Sequence, residues 1–189
     1  MNSYSDSALI IKCKARDKDA FRVLVERYKK QAFAFAFSYL KNADDALNVS
    51  QDAFVRAWNA IDRFMEGKSF KPWLMSIVKN LSLNRIAKTK RLRETSLDQA
   101  MEESAFDIPD RGSSPLEKLE QKETNEFVWK AVMCLKDDFR EIIVLKHFQD
   151  LSYREISEAL EIPEGTVMSR LYYARMELKK NLEAVSLGS

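Results

Sequence analysis

The chain has 189 residues, of which 46% are hydrophobic and 32% are charged, and this balance is typical of a globular protein rather than a disordered or fibrous one. Two distant cysteines and a single histidine, Cys13, Cys134 and His147, cannot supply the closely spaced ligands of a structural zinc site, so no metal or other cofactor is expected. The most apolar stretch, 32–40, is too short to span a membrane, and the N-terminal residues lack the apolar segment of an export signal. We therefore predict a cytoplasmic protein.

Four glycines and four prolines leave few breaks, and the composition favours an all-α fold. Before residue 93, helices are predicted at about 6–15, 18–40, 43–61 and 70–90. The second carries Phe33, Phe35 and Phe37 in alternation with alanine, which locally imitates a strand. Because this segment has no Gly or Pro, we predict a helix that is buried on several sides and central to the core.

The third predicted helix combines apolar and polar positions. Leu47, Phe54 and Trp58 recur at helical intervals, which favours core positions. The polar residues between them, Asp45, Gln51, Asp52 and Arg56, are expected to form an outer surface. Phe54 and Trp58 could also contact a partner, but core packing is favoured because buried aromatic residues outnumber interface anchors.

The fourth predicted helix is strongly basic. From Gly67 to Arg93 the sequence has eight Lys and Arg residues and no Asp or Glu, which is the pattern of a surface that binds a phosphate backbone. Its buried face is predicted to consist of Trp73, Leu74, Ile77, Val78 and Leu81. Lys71, Lys79, Asn80, Asn84 and Lys88 are then available to DNA. The amide of Asn80 suits a base edge because it can both donate and accept.

A linker is predicted over 94–120, where helical periodicity lapses and Ser, Thr, Asp, Gly and Pro crowd together. It separates two small helical domains, 1–93 and 121–189. Residues 1–93 carry 19 Lys and Arg against 9 Asp and Glu, whereas 94–127 carry 3 against 10. This composition predicts a flexible acidic tether, so the two domains are expected to lack a fixed mutual geometry when free.

After the linker, helices are predicted at 121–134, 139–147, 153–160 and 165–182. Ser152 and Glu155 form a capping box at the start of the third. The third and fourth indicate a helix-turn-helix, with Ile156 and Leu160 packed on the stripe Val167, Leu171, Ala174 and Leu178. The opposite face displays Thr166, Met168, Ser169, Arg170 and Tyr173, which suit a major groove. A packed helical hairpin with a solvated polar face is the alternative.

Three segments resemble known parts of sigma-70 family proteins. Residues 132–179, with the runs LSYREIS and EGTVMSR, resemble region 4 of extracytoplasmic-function (ECF) sigma factors, which recognises the promoter −35 element. Residues 42–58 resemble region 2.2, which docks on the coiled coil of the polymerase β′ subunit. Residues 62–93 resemble regions 2.3 and 2.4, which open the −10 element and hold a flipped base. The chain is identified as a member of the minimal two-domain ECF subtype.

The resemblance implies three sets of site residues. The residues implied to bind core polymerase are Asp44, Asp45, Gln51, Asp52, Phe54 and Trp58. The residues implied to bind the −10 DNA are Phe64, Met65, Lys71, Lys79, Asn80, Asn84 and Lys88. The residues implied to bind the −35 DNA are Thr166, Met168, Ser169, Arg170, Tyr173 and Arg175. Many relatives carry Lys or Arg where Met168 and Tyr173 stand, so the −35 contacts are expected to be unusual.

The resemblance also implies partners: core RNA polymerase through its β′ and β subunits, promoter DNA, and an anti-sigma factor, often anchored in the inner membrane. It implies a factor that directs transcription initiation and catalyses no reaction. Two other classes compete, a helix-turn-helix regulator of intact duplex and a nucleic-acid-processing enzyme. The first leaves the basic helix unexplained, and the second needs a clustered acid, base or metal site that the sequence does not suggest.

Overall fold

The computed structural model describes residues 4–95 and 126–187, with side chains over 4–92 and 126–184. The helices are α1 (Asp6–Lys14), α2 (Lys18–Leu40), α3 (Ala43–Ala60), α4 (Phe70–Thr95), α5 (126–133), α6 (Asp137–Ile143), α7 (Tyr153–Leu160) and α8 (Glu164–Leu187). No strand occurs within the described ranges, so the predicted all-α fold is confirmed. The predicted linker lies outside these ranges apart from its first two residues. We call 4–95 the first unit and 126–187 the second unit.

The central helix of the first unit is α2, which packs against α1, α3 and α4. Asp17 caps its N-terminus, since the Asp17 carboxylate accepts from the backbone N–H groups of Asp19 and Ala20 at 2.9 and 3.0 Å. Phe35 and Phe37 are buried, and Phe33 is partly buried. The alternating Phe-Ala run is therefore helical and buried on several sides, as predicted.

One predicted core residue of α3 is wrong. The buried stripe of this helix consists mainly of small residues, Ala46, Val49, Ser50, Ala53, Phe54 and Ala57. Leu47 lies beside this stripe and is 47% exposed. Small side chains bring α3 close to α2, so the contact is centred on the alanines rather than on the larger apolar residues.

The basic helix α4 follows a turn at Gly67, whose φ of 79° lies in the left-handed region that favours glycine. Leu74, Val78 and Leu81 are buried, and the neighbouring Trp73 and Ile77 are partly buried. This confirms the predicted apolar face, which packs against α2 and α3. The polar face of α4 consequently points away from the core of the first unit.

The second unit contains the predicted helix-turn-helix. The Ser152 hydroxyl accepts from the Glu155 N–H at 3.2 Å, and the Glu155 carboxylate accepts from the Ser152 N–H at 2.9 Å, so the capping box is confirmed. Helix α7 ends at Leu160, and the Glu161 cap that follows it has a φ of 58°. The predicted packing stripe is buried at Ile156, Leu160, Val167, Leu171 and Ala174 and partly buried at Leu178.

The helix predicted at 139–147 differs from the structure at both ends. It begins at Asp137 and continues into a π-helical turn, Val144–Phe148. The backbone N–H of Gln149 donates to the Val144 carbonyl at 3.1 Å, which is the longer hydrogen-bond span of a π turn. Val144 and Leu145 are both buried, so this wider turn lies in the core of the second unit.

The two units pack against each other, and the buried apolar residues form one continuous cluster. The Phe37 ring of α2 stacks on the Trp129 ring of α5 at 6.5 Å, and the Arg140 guanidinium donates to the Ser38 carbonyl at 2.8 Å. The two units are thus in contact in this structure. The expectation that they lack a fixed mutual geometry when free stays a prediction. Local sequence patterns do not indicate this packing, because its partners are more than 90 residues apart in the chain.

The two cysteines are expected to differ sharply in reactivity. Cys13 is fully buried, and this burial raises the pKa of its thiol to about 11, whereas Cys134 is exposed. Because the thiolate is the reactive form, we expect Cys134 alone to react rapidly with a disulfide reagent at pH 8, with Cys13 slower by on the order of a hundredfold or more. Both rates are measured from the absorbance of the thiolate that the reagent releases. Equal rates for the two cysteines in the native protein would contradict the packing of α1. In the denatured protein, the control, the two rates should become equal.

Candidate polymerase and nucleic-acid interfaces

The outer face of α3 carries the residues predicted to bind the polymerase. Asp44, Gln51 and Asp52 are exposed on the described structure. Asp45 is more enclosed, since its side chain is 25% exposed and accepts from the Arg85 guanidinium of α4 at 2.5 Å. Asp45 therefore joins α3 to α4, and the three exposed polar residues are the ones available to a partner.

The two aromatic residues of this predicted set serve the core. Phe54 is 7% exposed and meets Phe21 of α2 edge to face, with ring centroids 6.5 Å apart. Trp58 is partly buried against the same Phe21 ring at 5.0 Å, and the Arg16 guanidinium lies 5.8 Å from the Trp58 ring centroid. Core packing, which the sequence favoured for both, is what the structure shows.

Two apolar residues that the sequence reasoning missed lie on this outer face. Leu47 is 47% exposed and Val55 is 58% exposed, on the same helix as Gln51 and Asp52. Partly apolar, partly acidic surface is suited to a protein partner, because interface cores are apolar and their rims are polar. The signal in the sequence is the stripe of alanines in α3. If this stripe is taken as the centre of the buried face, both Leu47 and Val55 lie on the outer face.

The predicted aromatic wall of the −10 pocket needs one correction. Phe64 is 5% exposed and packs against the rings of Phe70 and Trp73, at centroid distances of 6.2 and 4.9 Å. Phe64 therefore anchors the loop to α4 in this structure, and its ring is not accessible for stacking on a base. Met65, the next residue, is 66% exposed and is the apolar group that the loop presents.

The polar face of α4 divides into an open part and a covered part. Asn80, Asn84 and Lys88 are exposed. Lys71 and Lys79 are half-buried, because the second unit lies over them. The Lys79 Nζ donates to the Leu160 carbonyl at 2.8 Å, and the Lys71 Nζ donates to the Gln149 carbonyl.

The face of α8 that is predicted to read the −35 element is mostly open. Met168, Ser169, Tyr173 and Arg175 are exposed, and Thr166 is half-buried in the first turn. The Arg175 Nε lies 3.4 Å from the His147 Nε2, and burial, followed by the charges of Arg175 and Lys146, lowers the pKa of His147. A neutral His147 can accept from Arg175 and hold it beside the helix.

Arg170 differs from its neighbours because it is tied to a buried carboxylate. Its Nη1 lies 3.4 Å from the Glu141 Oε1 of α6, and the two side chains are 30% and 10% exposed. The Tyr39 hydroxyl of α2 donates to the other oxygen of Glu141. Burial raises the pKa of Glu141, and burial together with the charge of Glu141 raises the pKa of Tyr39. The Glu141 carboxylate thus connects α2 of the first unit with α8 of the second unit.

No group of three or more His, Cys, Asp or Glu side chains is placed to hold a metal ion within the described residues. None of the described helices combines the length and apolar character that a membrane crossing requires.

Two family models match the chain. Sigma-70 region 2 matches residues 24–92, and sigma-70 region 4 matches residues 128–178. The first match spans α3 and the basic helix, and the second spans the helix-turn-helix. Two such regions in this order define a transcription initiation factor of the sigma-70 class.

Relatives and solved structures agree with these matches. The ECF RNA polymerase sigma factor SigW of Bacillus subtilis is 34% identical over 172 residues, which cover 89% of this chain and 92% of SigW. A solved complex of the sigma factor RpoE with the anti-sigma factor NepR from Bartonella quintana has a TM-score of 0.71 and 28% identity, covering 86% of this chain and 96% of that chain. CnrH, solved with the cytosolic domain of CnrY, has a TM-score of 0.67 and 25% identity, covering 95% and 97%.

The chain belongs to the ECF family of RNA polymerase sigma factors. As a sigma factor, it directs promoter-specific transcription initiation, and its family is one of transcription regulators.

Proposed function

We propose that three surfaces of this chain divide the work of initiation. The outer face of α3 binds core RNA polymerase, the loop before α4 and the open part of α4 bind the −10 element, and the N-terminal half of α8 reads the −35 element. The observation that carries this proposal is the placement of Asn80, Asn84 and Lys88 together on the exposed face of the basic helix α4, which has no Asp or Glu before residue 94. A regulator that binds intact duplex through its helix-turn-helix does not require a second DNA-binding surface on a separate unit.

The −10 surface has the chemistry needed for an unstacked base. Asn80 offers an amide that donates and accepts, Met65 offers an exposed apolar contact, and Lys88 offers a charge for phosphate. Binding of single-stranded DNA stabilises the opened promoter and offsets the loss of pairing, so melting needs no ATP. No catalytic step is assigned to the chain.

The −35 surface is proposed to read bases mainly through Arg170, with Thr166 and Ser169 as shorter hydrogen-bonding contacts. Arg is the side chain that pairs bidentately with guanine in a major groove. Met168 and Tyr173 are exposed and supply apolar contact, for example to a thymine methyl group. The Glu141 carboxylate lies beside Arg170 and limits the orientations of its guanidinium.

Arg170→Ala is expected to weaken −35 recognition by about 1 to 3 kcal/mol and to flatten the preference at one base pair. The measurement is initiation from a library of promoters that vary only in the −35 element. Lys179→Ala is a matched control, because Lys179 is an exposed cation more than two turns further along α8. An equal loss on all −35 sequences would show that Arg170 contacts phosphate and not a base.

The proposed partners are core RNA polymerase, promoter DNA and an anti-sigma factor, and the proposed site of action is the cytoplasm. An anti-sigma factor is supported by the fold, since the similar RpoE chain was solved with the anti-sigma factor NepR. An inhibitor that covers α3 would compete with the polymerase for Leu47, Val55 and their acidic neighbours.

A further inference from the structure

The loop before α4, residues 61–69, carries two carboxylates next to the proposed −10 contact. Asp62 and Glu66 lie on either side of Met65 in the sequence, and Met65 is the exposed apolar residue that the loop presents. Both carboxylates would repel the phosphates of a DNA strand that approaches Met65. The presence of two acidic residues here therefore needs a cause other than contact with DNA.

Each of these carboxylates faces a cation at the C-terminal end of α1. The Arg16 guanidinium pairs with the Asp62 carboxylate. The Lys14 Nζ lies 3.9 Å from the Glu66 Oε1. The Arg16 guanidinium also lies over the Trp58 ring near the end of α3, where a cation is attracted to the face of the indole. The end of α1 is thus connected with the loop on both sides of Met65, and the two cations offset the negative charge of the loop.

Helix α1 is itself fixed to the core of the first unit, so its end can serve as a reference point for the loop. Its apolar face packs against α2, and Cys13 on this face is fully buried. At the start of the helix, the Arg27 guanidinium and the Tyr28 hydroxyl of α2 both donate to the Asp6 carboxylate. A loop that is attached to the end of α1 is therefore attached to a rigid element.

The turn that ends α1 determines the backbone of Arg16 but does not require its side chain. The Arg16 N–H donates to the Cys13 carbonyl at 2.9 Å, and the Asp17 N–H donates to the Lys12 carbonyl at 3.1 Å. These two hydrogen bonds form a Schellman motif. Arg16 has a φ of 63°, in the left-handed region that glycine adopts more readily. The contacts of the arginine side chain with the loop and with Trp58 are thus separate from the turn.

We propose that Arg16, together with Lys14, is a positioning residue for the −10 site, because it fixes the loop so that Met65 meets the unstacked base in one orientation. The proposal rests on the proposed function of this loop in −10 binding. The match to sigma-70 region 2 begins at residue 24, so both cations lie outside the segment that the family model covers. Selectivity for the −10 element then depends on α1 as well as on the loop and α4.

The contact acts on the orientation of the loop more than on the stability of the fold. The side chains of Arg16 and Asp62 are 54% and 48% exposed, and ion pairs with such exposure contribute little to the free energy of unfolding. The reading of a base, in contrast, is sensitive to small displacements of the groups that touch it. We therefore expect loss of Arg16 to change base selectivity while thermal unfolding changes little.

The test uses the full chain with the substitution Arg16→Gly, which removes the side chain and suits the left-handed turn. Initiation by core polymerase is measured on promoters that differ by single bases in the −10 element. We expect the preference for the best −10 base to fall by about fivefold, while the preference among −35 sequences does not change. The midpoint of thermal unfolding should stay within about 3 °C of the wild type.

Arg22→Ala is the matched control, because Arg22 is an exposed cation that pairs with Asp19 within α2 at 3.2 Å. We expect its −10 preference to stay within about twofold of the wild type. An equal fall in this control would overturn the proposal, since it would show that any nearby positive charge has the same effect. An unfolded Arg16→Gly variant would overturn it as well, because Arg16 would then act through stability.

Asp62→Asn separates positioning of the loop from direct contact between Arg16 and DNA. If Arg16 acts through Asp62, this substitution also lowers the −10 preference, and adding it to Arg16→Gly causes no further loss. Hydrogen exchange of the Phe64 N–H, which donates to the Ile61 carbonyl at 3.1 Å, should become about threefold faster or more in both variants. If Arg16→Gly instead weakens initiation equally on all −10 sequences and Asp62→Asn has no effect, Arg16 contacts phosphate and the proposal is wrong.

Met65→Ala tests the function of the loop independently of α1. If Met65→Ala lowers the −10 preference and Arg16→Gly does not, the loop reads the −10 element and positioning by α1 is wrong. If neither substitution changes the −10 preference, the assignment of the loop to the −10 element fails, and the positioning role fails with it.

Discussion

Replacing Asp44 and Asp52 together by lysine is expected to lower the affinity for core RNA polymerase by on the order of a hundredfold. Both residues are exposed on the outer face of α3, beside Leu47 and Val55. A charge that is paired at an interface and then reversed loses its attraction and adds repulsion, so the effect on binding exceeds that of simple removal. The effect on folding is expected to be small, since exposed charges contribute little to stability.

Binding is best measured by titrating labelled protein with core polymerase, and folding by circular dichroism and thermal unfolding. Asp19→Lys with Glu26→Lys is the matched control, because it makes the same change of net charge at exposed positions of α2. Asp45 is left unchanged, since it pairs with Arg85 and its loss would disturb the contact between α3 and α4. An unfolded double variant, or equal weakening in the control, would refute the assignment of this face to the polymerase.

Asn80→Ala is expected to damage promoter opening more than the first, closed complex. Asn80 is exposed on α4, where its amide can read a base only after that base has left the stack. We expect a loss of about tenfold or more in initiation, together with weaker discrimination among single-base changes in the −10 element. Initial binding to duplex promoter should change little.

The stages separate on templates whose −10 region is already mismatched. A variant that is defective only in melting recovers most of its activity there, whereas a variant that cannot read the base does not. Lys90→Ala is a suitable control, because Lys90 is an exposed cation further along the same helix. Equal losses on matched and mismatched templates with unchanged base preference would show that Asn80 acts through stability alone, at roughly 1 kcal/mol.

Most of the fold could be predicted from local patterns. The capping box at Ser152 and Glu155 and the long uninterrupted run of α2 are specified by neighbouring residues, and both are confirmed. The π turn at Val144–Phe148 could not be predicted, because it depends on how the second unit packs. The spacing of the apolar residues does not indicate it. Leu47 was misplaced because burial was assigned by size, whereas the helix contact is made by alanines.

The features of the candidate sites that depend only on residue type could be predicted from the sequence. A basic segment without Asp or Glu, 67–93, and a helix-turn-helix are visible in the sequence, and the exposure of Asn80 and Ser169 agrees with both. What could not be predicted depends on contacts between distant residues. Phe64 is covered by Trp73, and Lys79 is held by a carbonyl 81 positions away in the chain.

The most direct test of the sigma-factor account is transcription of genomic DNA by core RNA polymerase with and without this protein, followed by sequencing of transcript 5′ ends. The account predicts that adding the protein creates a defined set of start sites that share −35 and −10 elements, and that the Asp44→Lys, Asp52→Lys variant abolishes them. It also predicts that the protein alone binds these promoters weakly. Start sites unchanged by the protein, together with tight and specific binding to intact promoter duplex in the absence of polymerase, would contradict it.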